Sequence, residues 1–303
     1  VCFDIAAAAK LGHSKGALVT IDNTIASPIG QQPLALGCDL SMYSATKSLG
    51  GHSDLLAGAV MGTRAALAPV FHARSVFGPI AEPTMAWMLE RSLKTLPLRV
   101  RAANANALEL ATRLQAHAGG SQVFYPGLPE HPSHAIAARQ MREGFGPLLG
   151  FEVQGGADAA LRVVNALKVI RHGASLGGVE SLASLAAFTS HKMIGPEGRK
   201  RAGIPEGLVR LSAGVESVDD LWADLRQALG QAAVVRAEQG LRAHGIGAGD
   251  RVVLVGENAI PLALLVFAEI AAFVFILGLA LGGSDPFGEE LGPAREKALM
   301  LGI

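Results

Sequence analysis

The chain has 303 residues, 26 basic and 26 acidic side chains, no formal net charge, and a composition that is 50% hydrophobic and 17% charged. Zero net charge without a Lys/Arg-rich run excludes nucleic-acid binding driven by phosphate neutralisation, and the apolar, glycine-rich content excludes disorder. Cys2 and Cys38 are too few for a disulfide framework or a cysteine-rich metal site, which fits a reducing cytoplasm.

The chain opens on Val1 almost at a helix start, so a longer parent protein is expected. Asp4 can cap a first helix and Gly16 can end it. The apolar run Ala17–Ile21 stops abruptly at Asp22-Asn23-Thr24, as a buried parallel strand would. A brief helix is predicted at Pro33–Gly37, a second strand at Asp39–Ser44, a polar turn, and a third strand at Leu55–Met61. Alternating helix and strand with short connections predict an α/β domain with a parallel sheet. Polar residues just beyond the carboxyl ends of such strands are where ligands sit.

Pro83 to His117 reads as helical with a break at Pro97. Residues 123–134 are rich in turn formers and make a domain junction. Beyond it a strand at Leu148–Val153, a helix near 157–168, a strand near 208–213 and a helix at Val218–Leu229 make a second, smaller α/β unit. The expected division is therefore 1–122, 123–232 and a tail at 233–303. In that tail, Ile260–Leu281 is apolar except for Glu269. The stretch is long enough for a bilayer, but a mid-span carboxylate argues against a membrane helix.

Asp22 follows one predicted strand, and Ser44, Thr46 and Lys47 follow the next. A lysine amine can form a Schiff base with an aldehyde, hydroxyls can bind phosphate oxygens, and a carboxylate can hold a pyridine nitrogen protonated. Those are the demands of pyridoxal 5′-phosphate, whose protonated ring is an electron sink. Taken singly, Asp22 reads equally well as a turn or cap residue, Ser44 and Thr46 as strand terminators, and Lys47 as a solvated cation. His52 reads as structural, and His131, His134 and His191 lack the spacing of a metal site.

The longer words decide the matter. Val19-Thr-Ile-Asp-Asn-Thr-Ile-Ala-Ser-Pro28 and Tyr43-Ser-Ala-Thr-Lys-Ser-Leu-Gly-Gly-His-Ser-Asp54 resemble the ring-nitrogen and Schiff-base segments of the Cys/Met-metabolism family of pyridoxal-phosphate enzymes. Arg91-Ser-Leu-Lys-Thr-Leu-Pro-Leu-Arg99, Tyr125-Pro-Gly-Leu-Pro129, Ser175-Leu-Gly-Gly-Val-Glu-Ser-Leu182 and Gly203–Glu216 continue the likeness in order, from about residue 3 to 230.

The resemblance implies a type I, aspartate-aminotransferase-like α/β fold, with an incomplete large-domain parallel sheet and a smaller C-terminal α/β domain. It implies pyridoxal 5′-phosphate held by Asp22, Thr24, Ser44, Thr46 and Lys47, with Lys47 catalytic. Ser175 and Arg210 are implied to bind the substrate, Arg210 through the α-carboxylate and Ser175 through that carboxylate or the Lys47 amine. The implied activity is that of a carbon–sulfur lyase or transferase on cystathionine, methionine or an activated homoserine, in a cytoplasmic homotetramer. Ala174, where cystathionine-processing members often carry an acid, tilts the expectation toward methionine γ-lyase or homoserine sulfhydrylase chemistry. Family members normally carry a substantial part before the Asp22 strand, so a catalytically impaired truncated or fused remnant is the alternative. Leu241–Asn258 resembles the opening of an adenylate-forming acyl-CoA synthetase without that family's later motifs, and no adenylation is expected of it.

Overall fold

The computed structural model describes residues 2–117 and 122–243. Most of the acyl-CoA-synthetase-like word and all of the apolar run 260–281 lie outside them. No helix among the described residues is long and apolar enough to cross a membrane. Residues up to Ala228 belong to one compact unit, which is built around two sheets.

Helix α1 spans Ile5–His13, with the Asp4 carboxylate accepting from the Ala7 amide at 3.0 Å. It stops before the predicted Gly16, because residues 14–16 form a turn with Gly16 at φ +70°. Its buried Ile5 and Ala9 pack with Ile21 and Cys38, and with half-buried Val19 and Leu36. This small cluster seats helix α1 on strand β1, Thr20–Asp22. Strand β2, Leu40–Ser44, runs parallel to β1 with Asp22 opposite Met42. A short 3-10 helix, Pro33–Leu36, lies between them as predicted.

Strand β3, Gly58–Gly62, is antiparallel to β2, a correction to the uniformly parallel sheet. A parallel return would need a helical crossover. Residues 45–57 instead form a turn-rich loop without helix, so the chain comes back beside β2 in the opposite sense. Helix α3 follows at Arg64–Phe77 (the Ser27–Gly30 turn being α2), capped by the Thr63 hydroxyl accepting from the Ala66 amide. It was not predicted.

The long helical reading divides into α4, Pro83–Leu93, and α5, Leu96–Ala116. The break is at Lys94-Thr95 rather than at Pro97. Pro97 sits in the first turn of α5, where no amide donor is needed. Helix α5 buries Val100, Ala103, Asn104, Ala107, Leu110, Ala111 and Leu114, one face at helical spacing.

The second sheet comprises β4 (Val123–Phe124), β5 (Leu148–Glu152), β6 (Arg171–His172), β7 (Leu182–Leu185) and β8 (Leu208–Ser212), in the order β4-β5-β8-β7-β6. Only the β6–β7 pair is parallel. The expected junction at 123–134 thus contributes an edge strand before its turns. Helices α6 (His134–Gln140), α7 (Gly156–Ala166) and α8 (Gly195–Arg201) complete the unit, and α9 begins at Val218 and runs to Ala243. Alternation along β5 and β8 buries Leu149, Phe151, Val209 and Leu211 and turns Gly150 and Arg210 to the opposite face. Those two residues are register partners.

Candidate active site

Strands β1 and β2 end side by side, and their carboxyl ends are tied together by one hydroxyl. Thr24 Oγ1 donates to Asp22 Oδ1 at 2.6 Å and accepts from the Ser44 amide at 2.8 Å. Asp22 Oδ1 also accepts from the Thr24 amide at 3.0 Å. Asn23, buried between them, anchors the turn from below. Its Nδ2 reaches the Gln31 carbonyl at 2.8 Å and the Tyr43 hydroxyl at 3.1 Å, while Gln31 Nε2 donates back to Asn23 Oδ1 at 2.9 Å. The Asp22 carboxylate is therefore fixed in direction, with Oδ1 occupied by two short local bonds.

Lys47 stands in the loop after β2. Its amide donates to the Ser44 carbonyl at 3.0 Å, and its carbonyl accepts from the Gly51 amide at 2.7 Å. The ammonium donates to Ser175 Oγ at 2.9 Å. Among the described residues it has no carboxylate partner. A neutral hydroxyl thus holds the amine in place.

Arg210, half-buried on β8, donates through Nη2 to the carbonyls of Ala174 and Ser175, each at 3.2 Å. Burial lowers the pKa of its guanidinium from the ordinary value, and no carboxylate pairs with it among the described residues. A half-buried guanidinium whose contacts are two neutral carbonyls retains the capacity to bind an anion through its remaining donors.

Asp22, Thr24, Ser44, Lys47 and Arg210 all line one cleft of about 890 Å³. Ser175 joins the group through its bond to Lys47 rather than by lining the cleft. Thr46 points elsewhere. Its Oγ1 accepts from the Ala57 amide at 3.1 Å and donates to the Ala57 carbonyl at 3.4 Å. His52 is structural in its contacts, with Nδ1 against the Gly50 carbonyl at 2.7 Å.

Further cleft walls come from residues with no site role in the sequence reading: His131, Met141 and Phe145, and the segment Gly203-Ile204-Pro205. The last is held by a clasp in which buried Arg199 donates to both Glu206 carboxylate oxygens at 2.9 Å. That pair holds the Glu206 carboxyl below its ordinary pKa. Ile204 and Pro205 lie inside a family word, which is the one signal that could have marked them. His131 falls in the turn-rich junction, and Met141 and Phe145 between α6 and β5, where composition carries no chemistry.

A family model described as Cys/Met metabolism PLP-dependent enzyme matches residues 1–230. The chain is 42% identical over 228 residues to cystathionine gamma-synthase 1, chloroplastic, of Arabidopsis thaliana, covering 75% of this chain and 40% of that protein. It is also 42% identical over 228 residues to L-methionine gamma-lyase of Pseudomonas putida, covering 75% of this chain and 57% of that protein. The solved structure of cystathionine gamma-lyase from Lactobacillus plantarum, complexed with L-serine, superposes with a TM-score of 0.73 at 40% identity, over 77% of this chain and 61% of that one. The chain thus spans less than two thirds of the length of these relatives. At this identity the shared α/β fold is the pyridoxal-phosphate type expected from the motifs, and the chain belongs to the Cys/Met metabolism PLP-dependent enzyme family.

Proposed function

We propose that this chain carries the lysine-bearing part of a pyridoxal-phosphate site and acts in sulfur amino-acid metabolism, as a carbon–sulfur lyase or transferase on cystathionine, methionine or an activated homoserine. The observation that supports it most is the placement of Lys47 Nζ against a neutral hydroxyl, in contact with a cleft that also presents Asp22 and Arg210. The donor set suits the cofactor. A fixed carboxylate faces one demand, a lysine amine without a carboxylate partner another, and Ser44 beside it a third.

When bound, pyridoxal phosphate supplies an electron sink for negative charge at the substrate α-carbon. Lys47 would hold the cofactor through its amine, and then accept and return the α-proton at Nζ. Ser175 Oγ would hold that amine in line between transfers. Asp22, its Oδ1 bound by Thr24, would direct Oδ2 at the ring nitrogen and keep it protonated. Ser44 would serve the phosphate, and Thr46 would join it only by its hydroxyl leaving both bonds to Ala57. Arg210 would grip the α-carboxylate with its remaining donors. In this reading residues 1–122 supply the cofactor side and 123–232 the substrate side. Elimination or replacement at the β- or γ-carbon would follow, in an assembly of identical subunits.

The test is a titration of the full chain with pyridoxal 5′-phosphate. A visible absorption band that survives dialysis and is abolished by Lys47→Ala is expected. A Lys47→Ala chain that keeps the band overturns the assignment.

A further inference from the structure

Arg99 lies in the first turns of α5, far in sequence from Lys47, yet its guanidinium reaches the loop that carries that lysine. Nη1 donates to the Ser48 carbonyl at 2.8 Å, and Nη2 to the carbonyls of Leu49 at 3.4 Å and Ser92 at 2.8 Å. Nε is held by Thr95 Oγ1 at 3.1 Å. The two residues that directly follow Lys47 are thereby pinned by one rigid cation to the α4–α5 corner.

The loop is shaped to admit this group. Gly51 has φ +72°, and a Cβ there would collide with Arg99 Nη1, so any other residue would displace the guanidinium. Gly177 also lies close to the loop, so that a Cβ there would meet the Ser48 amide nitrogen at 2.9 Å. The Val179 amide donates to the Gly51 carbonyl at 3.0 Å. The Lys47 loop is thus held between Arg99 and the segment that carries Ser175. Arg99 is half-buried and has no carboxylate partner among the described residues. Its charge is spent on carbonyl dipoles, which a planar fork can engage together and a lysine could not.

We propose that Arg99 is a positioning residue for Lys47, setting the loop so that Lys47 Nζ meets Ser175 Oγ. This role deepens the proposed function and takes its catalytic meaning from it. Lys47 reactivity can nonetheless be measured without cofactor, by reductive methylation of the full chain and peptide mass spectrometry.

Arg99→Met is expected to raise Lys47 labelling roughly fivefold, the change that loss of about one net hydrogen bond produces. Ser175→Ala should raise labelling in the parent chain but add little in the Arg99→Met chain, because both changes release the same contact. Asp224→Asn, which loosens a buried loop elsewhere, should leave Lys47 labelling unchanged. Parental labelling in Arg99→Met overturns the proposal, as does full additivity with Ser175→Ala or an equal rise in Asp224→Asn. If Arg99→Met does not fold, Arg99→Lys replaces it, with a smaller rise expected and a parental rate again overturning the proposal. A failed cofactor titration would remove the enzymatic reading and leave these labelling results standing. Failed labelling beside a normal titration would remove only the role of Arg99.

Discussion

Lys47 and Ser175 are 128 positions apart in sequence and 2.9 Å apart at Nζ and Oγ. This bond joins the loop after β2 to the segment leading into β7. The neighbouring bond from the Val179 amide to the Gly51 carbonyl repeats the connection through backbone. Because the backbone bond and the close approach of Gly177 remain when the hydroxyl is removed, Ser175→Ala should leave the fold intact while freeing the amine.

For Ser175→Ala, affinity for pyridoxal 5′-phosphate should rise about three- to tenfold, because the charge-assisted bond removed is one that holds the free amine. The urea midpoint should barely move. Absorbance titration and denaturation on the same preparation check both. Unchanged affinity would show that the hydroxyl does not orient the amine.

Asp224 makes the opposite kind of contact, structural and buried. Its Oδ1 accepts from the Lys168 amide and its Oδ2 from the amides of Val169 and Ile170, all at 2.9 Å. Asp224→Ala leaves three amides without their acceptor at a site only 7% exposed, and should cost about 3 kcal/mol or more. Asp224→Asn keeps one acceptor and turns an NH₂ toward part of the same cluster, so its cost should be smaller but clear, about 1–2 kcal/mol. Urea unfolding of the two variants should rank them in that order.

What could be read in advance divides along physical lines. The ends of β1 and β2 were legible because continuous apolar runs stop at polar words. Asp22, Lys47 and Arg210, which line one cleft, could be picked out in advance as candidates because each sits inside a long family word. Helix α3 was not: Leu67, Val70 and Phe71 stand at helical spacing, but Pro69 inside the run reads as a breaker, and the fold buries none of the helix's residues. Strands β4 and β6 have two residues each, too few for a period-2 pattern. The direction of β3 depends on its pairing with β2, which local sequence does not encode. Thr46 belongs to the same word as Lys47, but its side-chain direction depends on a long-range bond to Ala57. Arg99 was visible only as a landmark, because its contact with the Lys47 loop requires the left-handed backbone of Gly51.

The acid limb of stability should carry a contribution from Asp39. Its carboxyl is held below the ordinary value, first by the Val19 amide and then by His13 Nε2, which lies 2.9 Å away. A carboxyl lowered in the folded state stabilises the protein above its unfolded pKa and loses that effect as pH falls through the folded value. Parent and Asp39→Asn chains should therefore differ in stability near pH 5, and the difference should shrink as pH falls through the carboxylate range. Urea midpoints measured across that range test the sign. A difference that widened on acidification would contradict it.

Arg210 separates a grip on substrate from a role in the fold. Its Nη2 already serves two carbonyls, so the group must present its other donors to a ligand. In Arg210→Lys a single ammonium can satisfy the carbonyls or meet a carboxylate, but cannot supply the planar pair of parallel bonds. Binding of an amino acid to the cofactor-loaded chain should weaken roughly 10- to 100-fold, the range that 1.5–3 kcal/mol represents. The corresponding amine without its carboxylate should bind equally well to parent and variant. That difference isolates the carboxylate, because a general disturbance of the cleft would weaken both ligands alike. Equal losses would assign Arg210 to holding the 174–175 carbonyls, and the substrate's acid group would then have to be bound by another residue of the cleft.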